Sequence, residues 1–180
     1  MPVIRGSNLS IGTRWIGGDF TYVSAEKAET LRRNIALPGD VVFTQRGTLG
    51  QVALVPAAPF DRYVISQSQM RLRVDPSIAI PQYIYCAFKT PRTLAEIESR
   101  KIATANPHIN LGILAGIEIP LPALDQQREI VETLFATEDV SCAAAKQAEG
   151  ADLARAALLG DLLSGGHAVP ESYDALLETA

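Results

Sequence analysis

The feature that most constrains this chain is a long helical stretch over residues 125–164. Asp125 is a residue type that caps helix N-termini, and Gly165 with Gly166 provides a stop. A helix of about forty residues extends for about 60 Å, which is more than the core of a small domain requires. We therefore expect this stretch to act as an interaction element.

The apolar residues of this helix cluster near its two ends, whereas its middle is rich in alanine. A long helix with an apolar stripe needs a second helix to cover that stripe. Glu138, Gly150 and Asp152 interrupt a regular heptad pattern, and a break near Gly150 into a helical hairpin is an open alternative. The residues predicted to form the partner-helix interface are Ile130, Val131, Leu134, Leu159, Leu162 and Leu163.

A second constraint comes from residues 37–56, which read LPGDVVFTQRGTLGQVALVP. Two short apolar runs flank a glycine-containing connection, which predicts a strand–loop–strand unit. The connection carries Gln45, Arg46 and Thr48. Such side chains can bond phosphate oxygens or base edges, but they do not form a catalytic set. An ordinary surface hairpin is the alternative interpretation.

The N-terminal part predicts short elements. Residues 1–20 suggest a strand, a polar turn and a second strand, in which Ser7 and Asn8 either form the turn or line a binding face. Ser24 is a predicted N-cap for a short helix over residues 25–31.

Two further strands are predicted after the hairpin. Residues 63–65 form a short apolar run, and residues 70–74 alternate apolar residues with arginine. Alternation with a period of two is typical of a half-buried strand. Arg71 and Arg73 would then share the exposed face, either as a solvated face or as phosphate contacts.

The next segment predicts helices over residues 81–89 and 91–101, the first opened by a proline. A polar loop over residues 103–110 follows, in which we interpret His108 as a loop hydrogen bonder because no catalytic partner stands at a telling spacing. Residues 113–121, ILAGIEIPL, predict a final strand closed by proline.

Charge is divided unevenly along the chain. Residues 1–110 hold thirteen Lys or Arg and eight Asp or Glu, a net +5, whereas residues 111–180 hold three and twelve, a net −9. This asymmetry predicts a basic part that can meet phosphate and an acidic part that meets protein or solvent. A helix that is simply acidic and solvated is the alternative.

The motifs of common enzymes are missing from the sequence. There is no Gly-Lys dipeptide of a phosphate-binding loop and no Gly-x-Gly-x-x-Gly. Cys86 and Cys142 lie far apart in apolar surroundings, so we expect small buried hydrophobes and no metal site. No apolar run approaches the ~18 residues that cross a membrane, and a cytoplasmic protein fits best. The sequence therefore looks like that of a protein that recognises a ligand without catalysing a reaction. An enzyme with an unfamiliar site is the alternative.

The order of five segments resembles the specificity (S) subunit of type I restriction–modification enzymes. In chain order these segments are LPGDVVFTQRGTLGQVALVP, SQSQMRLRVD, PQYIYCAFKTP, IPLPALDQQREIV and LARAALLGDLLSGG. The resemblance covers residues 3–166, which is most of the chain.

The resemblance implies an α+β fold with a β-rich mixed target-recognition domain at residues 1–122. A long, coiled-coil-like spacer helix would follow within residues 123–166. From the sequence itself we expect residues 167–180, which follow the predicted helix stop, to form a flexible tail. In this family the recognition domain reads half of a split sequence in double-stranded DNA, and the helix pairs with a counterpart and docks the methyltransferase (M) subunits. The S subunit performs no chemistry: its partners bring S-adenosylmethionine, and the restriction (R) subunit brings ATP and Mg²⁺.

A complete S subunit usually has two recognition domains and two helices, whereas this sequence has one of each. The resemblance therefore implies a half-length form whose recognition domain starts late, which pairs with a second S-like half-subunit or with itself. The alternative is a degenerate or split remnant that acts only as a protein-binding helical scaffold.

The predicted DNA-binding residues combine this resemblance with side-chain chemistry. Glutamine can read adenine bidentately, arginine can read guanine or hold phosphate, and threonine can contact a thymine methyl group or a phosphate. The residues we expect on the DNA face are Arg5, Asn8, Gln45, Arg46, Thr48, Gln67, Gln69 and Arg71.

Overall fold

The computed structural model describes residues 1–9 and 12–166; the predicted flexible tail at residues 167–180 lies outside the described residues. In chain order the strands are β1 (Pro2–Ile4), β2 (Thr21–Tyr22), β3 (Ile35–Ala36), β4 (Val41–Thr44), β5 (Val52–Leu54), β6 (Tyr63–Ile65) and β7 (Gln69–Leu72). The helices are α1 (Ala25–Thr30), α2 (Pro81–Phe88), α3 (Pro91–Arg100), α4 (Leu111–Ala115) and α5 (Leu124–Leu163). Short 3₁₀ helices occupy Gly6–Asn8 and Arg32–Asn34.

The strands form two small sheets, which confirms the α+β fold class. The first sheet has the order β2-β1-β6-β3, in which β1 and β6 are parallel and the other pairs antiparallel. The second has the order β5-β4-β7 and is antiparallel throughout. The chain divides into two compact units, Met1–Thr133 and Leu134–Ala180, so both sheets belong to the first unit.

The predicted strand–loop–strand unit is confirmed as β4 and β5. Val41 pairs with Leu54 and Phe43 with Val52, so the two apolar runs face each other in register. The loop between them turns through Gly47 and Gly50, whose φ angles are +100° and +81°. These angles lie in the left-handed region that glycine adopts without steric cost.

The core of the first unit explains why both faces of these short strands are apolar. One buried cluster contains Ile4, Leu9, Ile16, Ala36, Val42, Ala53, Val55 and Tyr63. Phe20, Phe60 and Ile65 pack around it. On the other side of β4, the rings of Phe43 and Phe88 meet with centroids 4.7 Å apart, and this contact seats α2 on the second sheet.

The predicted helices α1, α2 and α3 are confirmed within one or two residues. Ser24 caps α1, because its side chain accepts a hydrogen bond from the Lys27 N–H at 3.2 Å. Thr90 caps α3 in the same way by accepting from the Thr93 N–H at 3.3 Å. Both caps satisfy backbone donors that the first turn of a helix leaves without a partner.

The predicted final strand over residues 113–121 is wrong. The Asn110 side chain accepts a hydrogen bond from the Ile113 N–H at 2.9 Å and so caps α4, which ends at Ala115. Residues 116–123 are then irregular. The apolar pattern that suggested a strand instead reflects burial of single residues such as Ile117.

Two smaller predictions also need correction. No second strand directly follows the first polar turn within the described residues: the turn is a 3₁₀ helix, and β2 begins only at Thr21. Asp125 does not cap α5, which begins one residue earlier; Asp125 lies in the first turn and pairs with Arg128. A carboxylate in the first turn still interacts favourably with the helix dipole.

The first turns of α5 are fixed to the first unit by Gln127, which is completely buried. Its Oε1 accepts from the Ile80 N–H at 3.0 Å, and its Nε2 donates to the carbonyls of Ile78 at 3.0 Å and Pro122 at 2.8 Å. The side chain thus bonds backbone that flanks both α2 and α5. The helix runs unbroken to Leu163, so the alternative of a hairpin at Gly150 is not observed. Within the described residues, no helix combines the length and apolarity needed to cross a membrane.

Candidate nucleic-acid interface

The loop that joins β4 to β5, residues 45–51, carries polar side chains, and hydrogen bonds close its base. Thr44, at the end of β4, donates its N–H to the Gln51 carbonyl at 3.0 Å, and the two side chains bond at 3.2 Å. These two bonds close the base of the loop. Arg46 and Thr48 are exposed at its tip.

The turn that joins β6 to β7, residues 66–68, lies directly against this loop. The backbone N–H groups of Gln45 and Arg46 donate to the Ser68 carbonyl at 2.8 and 3.3 Å. Gln67 is exposed at the tip of the turn. Two loops that are separate in sequence therefore present their polar residues side by side.

A third loop, residues 101–110, follows α3 and contacts the β4–β5 loop. His108 forms an antiparallel bridge with Arg46, and the Ile109 N–H donates to the Gln45 carbonyl at 3.0 Å. Ile109 is 1% exposed, so its side chain anchors this loop in the core of the first unit. Backbone bonds thus hold the third loop to the first.

We call residues 45–51, 66–68 and 101–110 the three-loop surface. None of the three segments contains Asp or Glu. Arg46 is exposed and makes no ion pair with any residue the structure describes. The surface therefore offers a positive charge and neutral hydrogen-bonding groups, which is the chemistry that phosphates and base edges require.

Four of the residues predicted on the DNA face come together here. They are Gln45, Arg46, Thr48 and Gln67. Sequence reasoning missed the third loop as part of the same surface, and with it Thr104 and Asn106. The only sequence signal for it is a run of small polar residues between α3 and α4.

Arg5 lies beside the three-loop surface. The carbonyl of the preceding residue, Ile4, accepts a hydrogen bond from the Ser66 N–H at 3.0 Å, which places the end of β1 next to the 66–68 turn. Arg5 is exposed, and among the described residues its guanidinium has one weak partner, the Asp19 carbonyl at 3.5 Å. It remains a predicted DNA contact.

Asn8 lies inside the fold, with 1% of its surface exposed. Its Oδ1 accepts from the Arg5 N–H at 2.9 Å, and its Nδ2 donates to the carbonyls of Gly17 at 2.8 Å and Asp19 at 3.0 Å. These bonds tie the turn after β1 to the segment before β2. Of the two roles weighed for Asn8, its contacts are those of the turn former.

Gln69 is also buried and lies beneath the three-loop surface. Its Oε1 accepts from the Ser66 hydroxyl across the β6–β7 turn, and it pairs with Thr44 in the sheet. Its Nε2 has no partner among the described residues. In this structure Gln69 shapes the turn that carries Gln67 and is not itself on the surface.

Arg71 and Arg73 do not form the open basic face that the alternation predicted. Arg73 bonds Asp40 in a bidentate manner, with Nε and Nη2 both 2.8 Å from the carboxylate oxygens. Arg71 is half-buried, and its Nη1 lies 3.4 Å from the same carboxylate. Asp40 is only 2% exposed. Arg71 therefore has a structural partner at the far end of β7 from the three-loop surface.

The environment of Asp40 shifts its ionisation. Burial raises the pKa of the carboxyl, but hydrogen bonds from Arg73 and from the Leu37 N–H, together with the charges of Arg73 and Arg71, oppose this effect. The net result is a pKa below the ordinary value. The carboxylate is thus held charged and fixes β7 to the turn before β4.

A groove of about 500 Å³ adjoins this cluster in the first unit. Its basic lining residues are Arg32, Arg62, Arg71 and Arg73. Each guanidinium has a carboxylate nearby, since Arg32 pairs with Glu29 and Arg62 lies 3.7 Å from Asp61. Because Arg71 and Arg73 share Asp40, three carboxylates offset the four arginines, and the groove is partly neutralised.

The predicted partner-helix residues divide between the two units. In the first unit Val131 is buried, whereas Ile130 is 38% exposed. In the second unit Leu134, Leu159 and Leu163 are exposed, and Leu162 is half-buried. Val131 therefore serves the core of this chain, and the remaining residues are available for an interface.

Within the described residues, no three His, Cys, Asp or Glu side chains gather in a way that could hold a metal ion. Cys86 and Cys142 are each half-buried. The His108 Nδ1 lies 3.2 Å from the Asn106 carbonyl, in the loop hydrogen-bonding role expected of it. The polar groups of the three-loop surface are suited to binding.

Comparison with solved structures identifies similar folds. The HsdS subunit from Thermoanaerobacter tengcongensis is 20% identical with a TM-score of 0.64, and the match covers 94% of this chain and 45% of that one. A chain from a structure that addresses complex assembly and conformational transition of the type I R-M system is 25% identical with a TM-score of 0.53, and the match covers 71% of this chain and 31% of that one. This chain thus spans less than half the length of either.

A search of curated proteins finds no significant match. The family model of the type I restriction modification DNA specificity domain matches residues 4–149. This match includes all of both sheets except the first two residues of β1, together with the three-loop surface and more than half of α5, and it confirms the resemblance noted in the sequence. The chain belongs to the family of type I restriction modification DNA specificity domains.

Proposed function

We propose that this chain reads a sequence in double-stranded DNA for a type I restriction–modification complex and that the three-loop surface faces the DNA. The observation that carries the proposal is the union of three loops, held together by backbone bonds, that contain no carboxylate and expose Arg46. The family description, a DNA specificity domain, gives the ligand class.

The side chains on this surface suit base and phosphate recognition. Gln45 and Gln67 carry amides that can pair with adenine, and Thr48 can contact a thymine methyl group or a phosphate. Arg46 can bond guanine or hold a phosphate, and Arg5 at the edge can contact the backbone of the same duplex. Asn8, Gln69 and Arg71 are excluded from this proposal because their polar groups are buried or paired within the fold.

The chain itself performs no chemistry in this proposal. S-adenosylmethionine, ATP and Mg²⁺ belong to the M and R subunits, which dock on the specificity subunit. We place part of this docking, or pairing with a second S-like half-subunit or another copy, on the exposed apolar residues of α5. Leu159 at 52% and Leu163 at 80% exposure support this assignment, because exposed leucines on one helix favour a covering partner. Because the proposed ligand is DNA, we propose that the chain acts in the cytoplasm.

A protein-binding scaffold that no longer reads DNA is the second candidate. The same exposed leucines of α5 favour it, and it requires nothing of the three-loop surface. Selection from a randomised DNA pool, with the chain and the methyltransferase subunit of its own system, separates the two. Enrichment of one sequence supports the reader; absence of any sequence preference at low salt supports the scaffold.

Replacement of Arg46 tests the surface directly. We expect Arg46→Ala to weaken binding to the selected DNA by about 1–3 kcal/mol if the guanidinium reads a base. If it holds a phosphate instead, binding to all sequences weakens and the dependence of affinity on salt becomes shallower by about one ion. Electrophoretic shift titrations at several salt concentrations, on selected and scrambled duplexes, measure both effects.

Arg33→Ala is the matched control, because it removes the same charge from an exposed position outside the three-loop surface. It should leave the preference for the selected duplex unchanged. Unaltered affinity, site preference and salt dependence in Arg46→Ala would remove Arg46 from the DNA face.

A further inference from the structure

We propose that Asn106, at the tip of the third loop, is a specificity-determining residue whose side-chain amide bonds a base edge in the bound DNA. This inference rests on the proposed function and deepens it, since it adds to the three-loop surface a reading residue from a segment that the sequence did not point to. Four features carry it: the closure of the loop, its junction with Arg46, the internal bonds of the loop and the state of the Asn106 amide.

The third loop is closed on itself at its base. The Ile102 N–H donates to the His108 carbonyl at 2.8 Å, and the His108 N–H donates back to the Ile102 carbonyl at 3.3 Å. This reciprocal pair makes residues 103–107 a short, separate loop, all of whose residues are exposed. Asn106 lies within it and projects away from the core.

The same base fixes the loop beside the first loop. His108 bridges to Arg46 as well as to Ile102, so the backbone of Arg46 is one strand spacing from the base of the 103–107 loop. Neighbouring strands lie about 4.8 Å apart. A duplex that contacts Arg46 therefore lies within side-chain reach of the third loop.

Two side chains order the loop from inside. The Thr104 hydroxyl donates to the Asn106 carbonyl at 2.9 Å, and the His108 Nδ1 lies 3.2 Å from the same oxygen. Pro107 adds a further restraint, because the residue before a proline is confined to extended backbone angles.

The Asn106 side-chain amide takes no part in these internal hydrogen bonds of the loop. It is exposed and makes no hydrogen bond in the part of the chain that the structure describes, whereas Thr104 and His108 are both occupied. An amide on an ordered backbone loses less conformational freedom on binding than one on a loose loop. Asparagine presents a donor and an acceptor that match the N6 and N7 positions of adenine.

The test uses the full chain with its methyltransferase subunit and sequence selection from a randomised pool. We expect Asn106→Ala to lose roughly tenfold or more of its discrimination at one base pair of the selected site, as removal of one bidentate contact requires. Binding to scrambled DNA and its dependence on salt should not change, because the amide carries no charge. Asn106→Asp keeps the size of the side chain but lacks the donor, so it should disfavour adenine at that same position.

Asn34→Ala is the control, since it makes the same change outside the three-loop surface. Thermal melts of each variant separate specificity from folding. An unchanged site preference in both Asn106 variants overturns the inference, as does a loss that is equal for all sequences. If the unsubstituted chain selects no sequence, the proposed function fails instead, so the two failures are distinguishable.

Discussion

At the scale of single residues, Asp40 has the most demanding surroundings. It is a buried carboxylate that accepts two hydrogen bonds from Arg73 and one from the Leu37 N–H. A buried charge is tolerated only where its oxygens are bonded and its charge is offset. Asp40 meets both conditions, and it does so by occupying arginines that the sequence pattern alone assigns to the surface.

The lowered pKa of Asp40 gives a pH dependence with a definite sign. A carboxyl whose pKa is lower in the folded chain binds its proton more readily in the unfolded chain, so it stabilises the fold above the unfolded pKa of about 3.9. That contribution is lost as the pH falls through the folded pKa. We expect the free energy of unfolding to fall below about pH 4.

Asp40→Asn isolates this contribution from those of other carboxylates. At neutral pH we expect it to lower the free energy of unfolding by about 1–3 kcal/mol, because charge-assisted bonds are replaced by weaker ones. Its stability should also fall less than that of the unsubstituted chain between pH 5 and pH 2.5. Urea titrations across this range measure both quantities, and parallel curves for the two proteins would contradict the assignment.

At the scale of elements, the β4–β5 loop packs closely against α3. A Cβ atom placed on Gly50 would lie 2.8 Å from the Leu94 Cδ2, and the φ of Gly50 is +81°. Gly47 has a φ of +100° but no atom within 4 Å of the same position. Substitution of Gly47 therefore tests backbone strain alone, whereas substitution of Gly50 tests backbone strain together with crowding by Leu94.

We expect Gly47→Ala to cost about 1–2 kcal/mol from the left-handed backbone alone. Gly50→Ala should cost slightly more, since the end of the Leu94 side chain must also move away from the added methyl group. Denaturant unfolding of both variants measures the difference, and Leu94→Ala in the Gly50→Ala background should recover part of it. Equal costs for the two glycines would show that Leu94 is not in the way.

The sequence predicted those elements that local residue patterns specify, and it did not predict those that depend on a single side-chain contact. The pairing of β4 with β5 was predictable, because two β-branched runs and a glycine loop determine it locally. The segment after Asn110 was not, since a short apolar run suits a strand or a helix equally and a single cap decided between them. Gln127 left no signal either, because glutamine in the first turn of a helix is ordinarily exposed.

The candidate site was predictable only in part for a related reason. The chemistry of Gln45, Arg46, Thr48 and Gln67 predicted them as DNA contacts, and the structure brings their loops together. The approach of the third loop was not, because backbone N–H and C=O groups hold it and every non-proline residue carries these. Asn8 and Gln69 were misjudged because polarity in sequence does not show whether an amide bonds water or its own chain.

At the scale of the whole molecule, the uneven distribution of charge along the chain agrees with the functional proposal. The segment that contains the two sheets carries the excess of arginine and lysine, and the segment that contains α5 carries the excess of carboxylates. An acidic helix with exposed leucines suits a protein partner better than a polyanion. The division supports the proposal that the sheet-bearing segment binds DNA and that α5 contacts protein.

Substitution on α5 tests that assignment. We expect Leu159→Glu to weaken association with the methyltransferase subunit or with a second copy at least tenfold, because a charge would be buried at an apolar interface. The stability of the chain alone should change by less than about 0.5 kcal/mol, as for other exposed positions. Sedimentation of the chain with and without the subunit measures association.

Gln147→Glu adds the same negative charge at an exposed polar position of the same helix. It should associate as the unsubstituted chain does. If Leu159→Glu associates equally well, the exposed leucines of α5 are not the contact.

The bonds that unite the three loops have a consequence for how such a chain changes over generations. They join backbone atoms, so replacing Arg46, Thr48, Gln67 or Asn106 leaves the links between the loops in place. In the proposed function, the side chains that choose a target are thereby separate from the atoms that hold the loops in position. We therefore expect that a few exchanges at the loop tips can change the target of such a chain while its scaffold stays the same.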